Sequence, residues 1–456
     1  MIVVSCEIAR TFRALAKKCL AGRPRGPAPF VTLQVRDGLL RIWCRIESVG
    51  LQGCIAAPGA AKDLIVAPMD VLAAIEGSRA EAVELVVDGK LRGTAAWSDH
   101  GETKSHAFEA VPPGKQHAIP GRPAQAPMPD AFRTALHECS RTANRGGEPS
   151  ALHHVQIRGS GDVIGTDSKQ LLVWGGFVFP FPNDVLVPAI PVFGSRELTE
   201  SGSPVIGRTD SEVVVTSGVW SVFLPICEGK YPDARSILPK TGSCTEVTFD
   251  DAQAAELLRA LSLLPGAAAE DRPVTLDLAE SLTIRARDES TGAVQELKLA
   301  AAVTGPAVAV AVNRSAMDRS LRLGCRTIRI PPSTRLVAVE GPDRVFAVAV
   351  LDSSATVARP ESSSPRFRGL RGISHERTSP VKSHDTNGSP NGRHDPPTED
   401  AVDPLTEAEA LRTAIVEAGS RLARLIAALR SSRKEKKVLA NVWAGLKQLN
   451  LGGGGP

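Results

Sequence analysis

The sequence predicts an α+β fold in which one unit of helix, strands, helix, strands is written three times. Three observations carry this reading. Amphipathic segments with helical spacing open three blocks: EIARTFRALAKKCLA from Glu7, PDAFRTALHECSRTA from Pro129 and DDAQAAELLRALSLL from Asp250. Each precedes a pair of alternating strands: VTLQVRDGLLRIW from Val31, HHVQIRGSGDVIGT from His153 and VTLDLAESLTIRA from Val274. Each block then runs from an apolar strand into a second helix, with equivalent turns at Pro68, Pro188 and Asn313, and closes on further strands. Chance would align one such element; all four in the same order, three times, make an internal repeat.

Short alternating strands joined at Asp37-Gly38 and Asp88-Gly89 point to antiparallel hairpins. Two helices per unit would cover one sheet face, a layered α+β arrangement. The units are expected at residues 1–116, 125–241 and 243–352. After Asp352 the text turns to Ser, Pro, Arg, His and Asn, a disordered linker over 353–403. Order is expected again over 404–450. Thr406 and Glu409 have capping-box spacing, and Leu411, Ile415, Ala418, Leu422, Leu425 and Leu429 form a heptad seam. That helix carries Arg430, Arg433, Lys434, Lys436 and Lys437. It reads as a helical hairpin or coiled coil with a solvated basic face, or as a basic helix that contacts DNA or a partner.

Of 456 residues, 42% are apolar but only 4% aromatic, so the cores are built from Val, Leu, Ala and Ile. The net charge of +4 is uneven. From Ser353 onward there are 16 Lys and Arg against 11 Asp and Glu; before it there are 38 against 39. A near-neutral body excludes a uniformly basic nucleic-acid binder, so any such binding must rest on a local patch. The eight cysteines contain no CxxC pair and read as buried free thiols. The start, MIVVSCEIAR, lacks the pattern of a signal peptide. The longest apolar stretch, Leu299 to Val312, is too short to span a bilayer. A cytoplasmic protein with no membrane contact is expected.

No catalytic constellation emerges: there is no Walker loop, GxGxxG, HExxH or GxSxG. His153 and His154 are adjacent on a strand and face opposite sides, so they cannot chelate one metal well. Asp162, Asp167 and Asp210 lie near hairpin turns, where Asp serves local hydrogen bonding. No catalytic residue, metal site or cofactor is expected.

The helices offer cations. The first and its exit carry Arg10, Arg13, Lys17, Lys18, Arg23 and Arg25; the second block offers Arg133, Arg141 and Arg145. The third offers Arg259, Arg314, Arg319 and Arg322. If these helices share one lining face, they form a positive surface for phosphates. Ordinary solvated helix faces are the competing reading.

The segment CEGKYPDARSILPK, Cys227 to Lys240, resembles the Gly-Lys/Arg-Phe-Pro-Asp-x-Arg-x-x-Leu-Pro-Lys signature of the bacterial sliding clamp, the β subunit of DNA polymerase III. VIGTDSKQLLV, Val163 to Val173, is similar to that family's Ala-Thr-Asp-Gly-His-Arg-Leu strand and turn. Gly22-Arg23-Pro24 resembles the loop after its first helix, and NRSAMDRSL matches its third-domain helix loosely. The resemblance spans Met1 to Asp352 in order, including the repeat. It implies three clamp-like domains per chain, closed head to tail into a homodimeric ring around double-stranded DNA. It implies contact with phosphates regardless of base sequence, so that the ring slides. Arg10, Arg13, Lys17, Lys18, Arg23, Arg25, Arg133, Arg141, Arg145, Arg314 and Arg319 would face DNA.

The resemblance further implies a groove that takes short peptides from DNA polymerases and clamp loaders. It would be built by Leu152, Thr166, Ser168, Lys169, Gln170, Leu171, Pro232, Ser236 and Ile237, with Leu336 and Val348. Ring closure would use His106, Phe108, Leu263 and Leu264. The sequence departs from the family at three places. Ser168-Lys169-Gln170 stands where the family has Gly-His-Arg. Ser236 replaces an arginine. The family's Met-Pro-x-Arg-Leu tail is absent, and the chain runs on far past Asp352. The expected function is a non-catalytic processivity factor. The alternatives are a clamp-derived scaffold recruiting partners through its C-terminal helix, and an enzyme on a repeated α+β fold.

Overall fold

The computed structural model describes residues 1–20, 28–77, 81–99, 101–144, 150–239, 244–266, 271–332 and 336–359. The chain divides into two compact units, Met1–Arg371 and Gly372–Pro456; everything described lies in the first. Arg23, Arg25, Arg145, the greater part of the expected linker and the helix expected over 404–450 lie outside the described residues.

The elements recur in one order. The first run is β1 (Ile2–Ser5), α1 (Cys6–Lys18), β2 (Phe30–Arg36), β3 (Leu39–Ile46), β4 (Val49–Ala56), β5 (Asp63–Pro68), α2 (Asp70–Ile75), β6 (Ala82–Val87), β7 (Arg92–Asp99) and β8 (Glu102–Glu109). The second is β9 (Gln125–Pro127), α3 (Asp130–Thr142), β10 (His154–Arg158), β11 (Asp162–Thr166), β12 (Gln170–Trp174), β13 (Val185–Pro188), α4 (Arg196–Thr199), β14 (Pro204–Arg208), β15 (Glu212–Ser217) and β16 (Trp220–Pro225). The third is β17 (Thr245–Thr248), α5 (Asp251–Leu263), β18 (Pro273–Leu278), β19 (Ser281–Arg287), β20 (Val294–Thr304), β21 (Val308–Asn313), α6 (Arg314–Arg322), β22 (Thr327–Ile330), β23 (Leu336–Glu340) and β24 (Arg344–Ala349).

Strand pairing repeats as well, always antiparallel. One set of four runs β5-β2-β3-β4, then β13-β10-β11-β12, then β21-β18-β19-β20. The other runs β1-β6-β7-β8, then β9-β14-β15-β16, then β17-β22-β23-β24. Two junctions join neighbouring runs edge to edge. Strand β4 pairs with β16, setting Leu51 opposite Val222, and β12 pairs with β24, setting Leu172 opposite Phe346. The opening strands β1, β9 and β17, of three or four residues each, are too short to show a period-two pattern in the sequence.

Local chemistry explains the helices. Helix α1 is capped by Ser5, whose hydroxyl accepts from the Ile8 N–H at 3.2 Å, and buries Cys6, Ala9, Phe12, Leu15 and Ala16. Asp250 and Gln253 form a reciprocal capping box on α5, and Asn313 caps α6. The middle run departs from expectation. Its second helix is a 3-10 segment, Pro191–Gly194, followed by the single turn α4. Pro191 supplies no N–H and Gly194 weakens helix, so a longer α-helix does not form there.

Two glycines let the first junction close. A Cβ on Gly50 would overlap the Trp43 ring, and one on Gly53 the Trp220 ring. Trp43 packs edge-on against Phe223 at 5.2 Å between ring centres, and Phe12 of α1 reaches Trp220 at 6.2 Å. The Asp37-Gly38 turn has both residues at positive φ, as a tight hairpin requires. Asp88-Gly89 does not. There a four-residue loop is held by the Asp88 carboxylate, which accepts from the Lys90 and Arg92 N–H groups, while Leu91 takes φ 63°. Hydrogen bonds from the Arg92 N–H and side chain hold that carboxyl below the usual range.

The body also extends past Asp352. Leu351 N–H donates to Ala311 O at 2.8 Å, and Val357 N–H donates to the Thr275 hydroxyl at 2.8 Å, with Val357 buried. These few residues form a strap on β18 and β21, so the expected break at 352 falls too early.

Candidate partner groove and basic helix surface

A mostly apolar groove of about 200 Å³ lies where β12 meets β24. It is lined by Leu152, Thr166, Ser168, Lys169, Gln170, Leu171, Pro232, Ile237 and Leu336, together with Ala234, Ala347 and Ala349. Nine of the eleven residues expected at a groove are thus brought together. Ser236 is not among them: its hydroxyl turns back to donate to Asp233 O at 2.7 Å. Val348 is not either. It sits on β24 between Ala347 and Ala349 and lines an adjoining cavity instead. The three alanines were missed because a small residue gives no sequence signal.

The signature segment builds one wall. Arg235 forms a forked ion pair with Asp162, Nε to Oδ2 at 2.8 Å and Nη2 to Oδ1 at 2.5 Å. Asp162 is buried, so it anchors the loop to β11 rather than serving only its own turn. Tyr231 donates to His154 O at 3.3 Å and packs with Ile164, Leu171, Val173, Leu186, Ala234 and Ala347 beneath the groove. The opposite wall is the β11–β12 turn. Asp167 accepts from the Lys169 and Gln170 N–H groups at 2.9 and 2.6 Å, the local role read from sequence.

Ser168 has φ 75°, the left-handed region that favours glycine. The glycine of the resembled motif is therefore a backbone requirement that this chain meets under strain. Replacing Ser168 with glycine should raise stability by about 1 kcal/mol, read as the urea midpoint. An unchanged or lower midpoint would show that the serine is relaxed.

The expected phosphate-facing residues separate into two groups. Arg10 and Lys17, seven apart on α1, are exposed on one helix face. Arg141 is exposed but bonded to Glu138, and Lys18, partly exposed, reaches Glu197 of α4 at 3.4 Å. The others are corrected by their surroundings. Arg133 is buried and donates to Gly202 O, Thr199 O and Ser217 Oγ. Buried Arg314 donates to Leu264 O and Pro265 O, capping the end of α5. Arg13 is paired with Glu76. These arginines satisfy carbonyls and carboxylates at the ends of neighbouring elements, a use that sequence spacing cannot separate from a solvated cation.

Arg319 ties the second run to the third. Its Nε and Nη2 reach Glu138 Oε2 at 2.9 and 2.8 Å, and its guanidinium lies over the Phe346 ring at 5.3 Å. Burial alone would raise the Glu138 carboxyl, but Arg319 and Arg141 outweigh it and hold it below the usual range. Nearby, the Arg344 guanidinium stacks on Trp174 at 3.9 Å, and Trp174 Nε1 donates to Asp343 at 3.0 Å.

Of the expected closure residues, Leu263 is 74% exposed and His106 partly so. Phe108 is buried over Gly93, and Leu264 is buried in its own core. The alternation of β8 turns Phe108 inward, and Leu264 ends α5 against the sheet. Among the described residues, no group of three or more His, Cys, Asp or Glu could hold a metal, and no helix is long and apolar enough to cross a membrane. Burial pushes the Cys19 and Cys325 thiols up to about 12, leaving little reactive thiolate.

No family model and no curated protein matches the sequence. Solved structures do match the fold. The DNA polymerase III subunit beta of Pseudomonas aeruginosa superposes with a TM-score of 0.62 at 16% identity, covering 77% of this chain and 99% of that one. The DNA polymerase III beta subunit of Thermotoga maritima gives 0.62 at 15% identity, over 77% of this chain and 99% of that one. The protein of Borrelia burgdorferi gives 0.60 at 12% identity, over 77% and 97%. The chain therefore has the fold of the bacterial DNA polymerase III β subunit, the sliding clamp, in a widely diverged sequence.

Proposed function

We propose that this chain is a DNA sliding clamp: a cytoplasmic, non-catalytic protein that pairs head to tail with a second copy, encircles duplex DNA and tethers a polymerase. One observation carries the reading. Strand β4 of the first run pairs with β16 of the second, and β12 of the second with β24 of the third. The counterpart of β4 and β12 in the third run is β20. The counterpart of β16 and β24 in the first run is β8. Strand β8 is the edge of its sheet, and β20 pairs over residues 294–302 on one side only. Each chain thus offers both halves of a third junction, and two chains joined twice leave neither β8 nor the open side of β20 without a partner strand.

The helices support the same closure. Lys18 ends α1 and reaches across the first junction to α4. Its counterpart, the last residue of the equally long α5, is Leu263, an exposed apolar side chain that meets no helix of another run among the described residues. Helix α2 of a second copy would supply one. Light scattering should give twice the chain mass; a monomer at micromolar concentration contradicts the reading.

Duplex DNA would be held through phosphates by the exposed cations of the helices, Arg10 and Lys17 foremost. Replacing both with glutamine removes four cations from a two-chain ring and should make the slope of log Kobs against log salt shallower by about 4, with no change in sequence preference. An unchanged slope would favour the scaffold alternative, to which the internal use of Arg13, Arg133, Arg314 and Arg319 lends weight. The groove is assigned to a linear peptide of a polymerase or loader, with its apolar anchor against Leu171 and Ile237.

A further inference from the structure

We infer that the peptide accepted by this chain carries basic residues beside its apolar anchor; this rests on the groove reading above and goes beyond it. A second cavity of about 460 Å³ continues from the apolar groove, sharing Lys169, Gln170 and Ala349 with it. It is lined by the exposed residues Asp271, Glu289 and Asp352, with Asn313, Val348 and the strap residues Ser354 and Ala355. None of the three carboxylates has an ion-pair partner among the described residues, and Lys169 is the single cation lining the cavity. They come from three different segments: the approach to β18, the β19–β20 turn and the start of the strap. The docked strap fixes the last of them in place, since Leu351 and Val357 on either side of it are hydrogen-bonded to β21 and β18.

Potentials across an interface are complementary where they steer a partner. An extended chain that seats an apolar side chain by Leu171 continues into a cavity of net negative charge, where Arg or Lys is favoured and Asp or Glu is repelled. The apolar half supplies affinity and the acidic half selects among anchored peptides. The occupant is thus a partner segment with a leucine or phenylalanine anchor and flanking basic residues.

The test uses the full chain and three short fluorescein-labelled peptides with one Leu-Phe anchor, flanked by arginines, by glutamines or by glutamates. Fluorescence anisotropy at low ionic strength should rank arginine first, about fivefold tighter than glutamine, with glutamate weakest. The gap should shrink at high salt. In D271N/E289Q the ratio of arginine-peptide to glutamine-peptide affinity should fall from about five to about one. Equal binding of all three peptides, with Leu171→Asp abolishing it, would overturn this inference and leave the groove reading intact. Binding indifferent to Leu171→Asp, or no binding, would overturn both. Competition by rising protein concentration would place a second copy in the groove and overturn the peptide as occupant.

Discussion

Leu263→Asp should convert the protein from dimer to monomer. Leu263 is 74% exposed in the single chain, so the substitution costs the monomer little. At the proposed third junction, burying that side chain contributes about 2 kcal/mol, and a carboxylate placed there costs at least as much again. A head-to-tail pair contains the site twice, so at least about 8 kcal/mol is lost per ring, a weakening of roughly a hundred-thousandfold or more. Sedimentation velocity gives the dimer constant, and thermal unfolding shows whether the monomer is intact. A dimer of normal affinity would remove α5 from the junction and with it the argument from Lys18.

Glu138→Ala should lower stability by about 3 kcal/mol at pH 7, because it strands the half-buried Arg319 beside Phe346 without its counter-charge. Arg319→Leu in the same chain should restore part of the loss, since both ends of the pair are then absent. The pH dependence has a definite sign. The folded Glu138 carboxyl titrates below its unfolded value. Its contribution is therefore complete above the unfolded pKa of about 4.3 and lost as pH falls through the lower folded value. The difference between wild type and Glu138→Ala should narrow below about pH 4. Equal urea midpoints at pH 7 would mean that the contact between α3 and α6 carries no net stability.

The threefold order of elements was legible because period-two and 3.6-residue patterns survive where sequence identity does not. Helices α1, α3 and α5 start within one residue of where their amphipathic spacing begins. The groove was legible through Cys227 to Lys240, since Arg235, Tyr231 and Pro232 have specific work in placing a loop. The strap was not, because residues 353–359 are mostly small and polar and only Val357 is buried. The arginines misled for a physical reason: Arg133 and Arg314 hold carbonyls at element ends, and nothing in their spacing marks that use. Val348 lies outside the apolar groove but lines the cavity that continues from it.

Topological retention on DNA tests the central claim most directly. The dimer would be dissociated by dilution and reassembled by concentration in the presence of nicked circular duplex, then passed through a large-pore column. The salt should be high enough to screen phosphate contacts. A closed ring stays with the circle at that salt and leaves when a restriction enzyme linearises it. Loss from the intact circle, or retention unchanged by linearisation, would contradict a chain that encircles DNA.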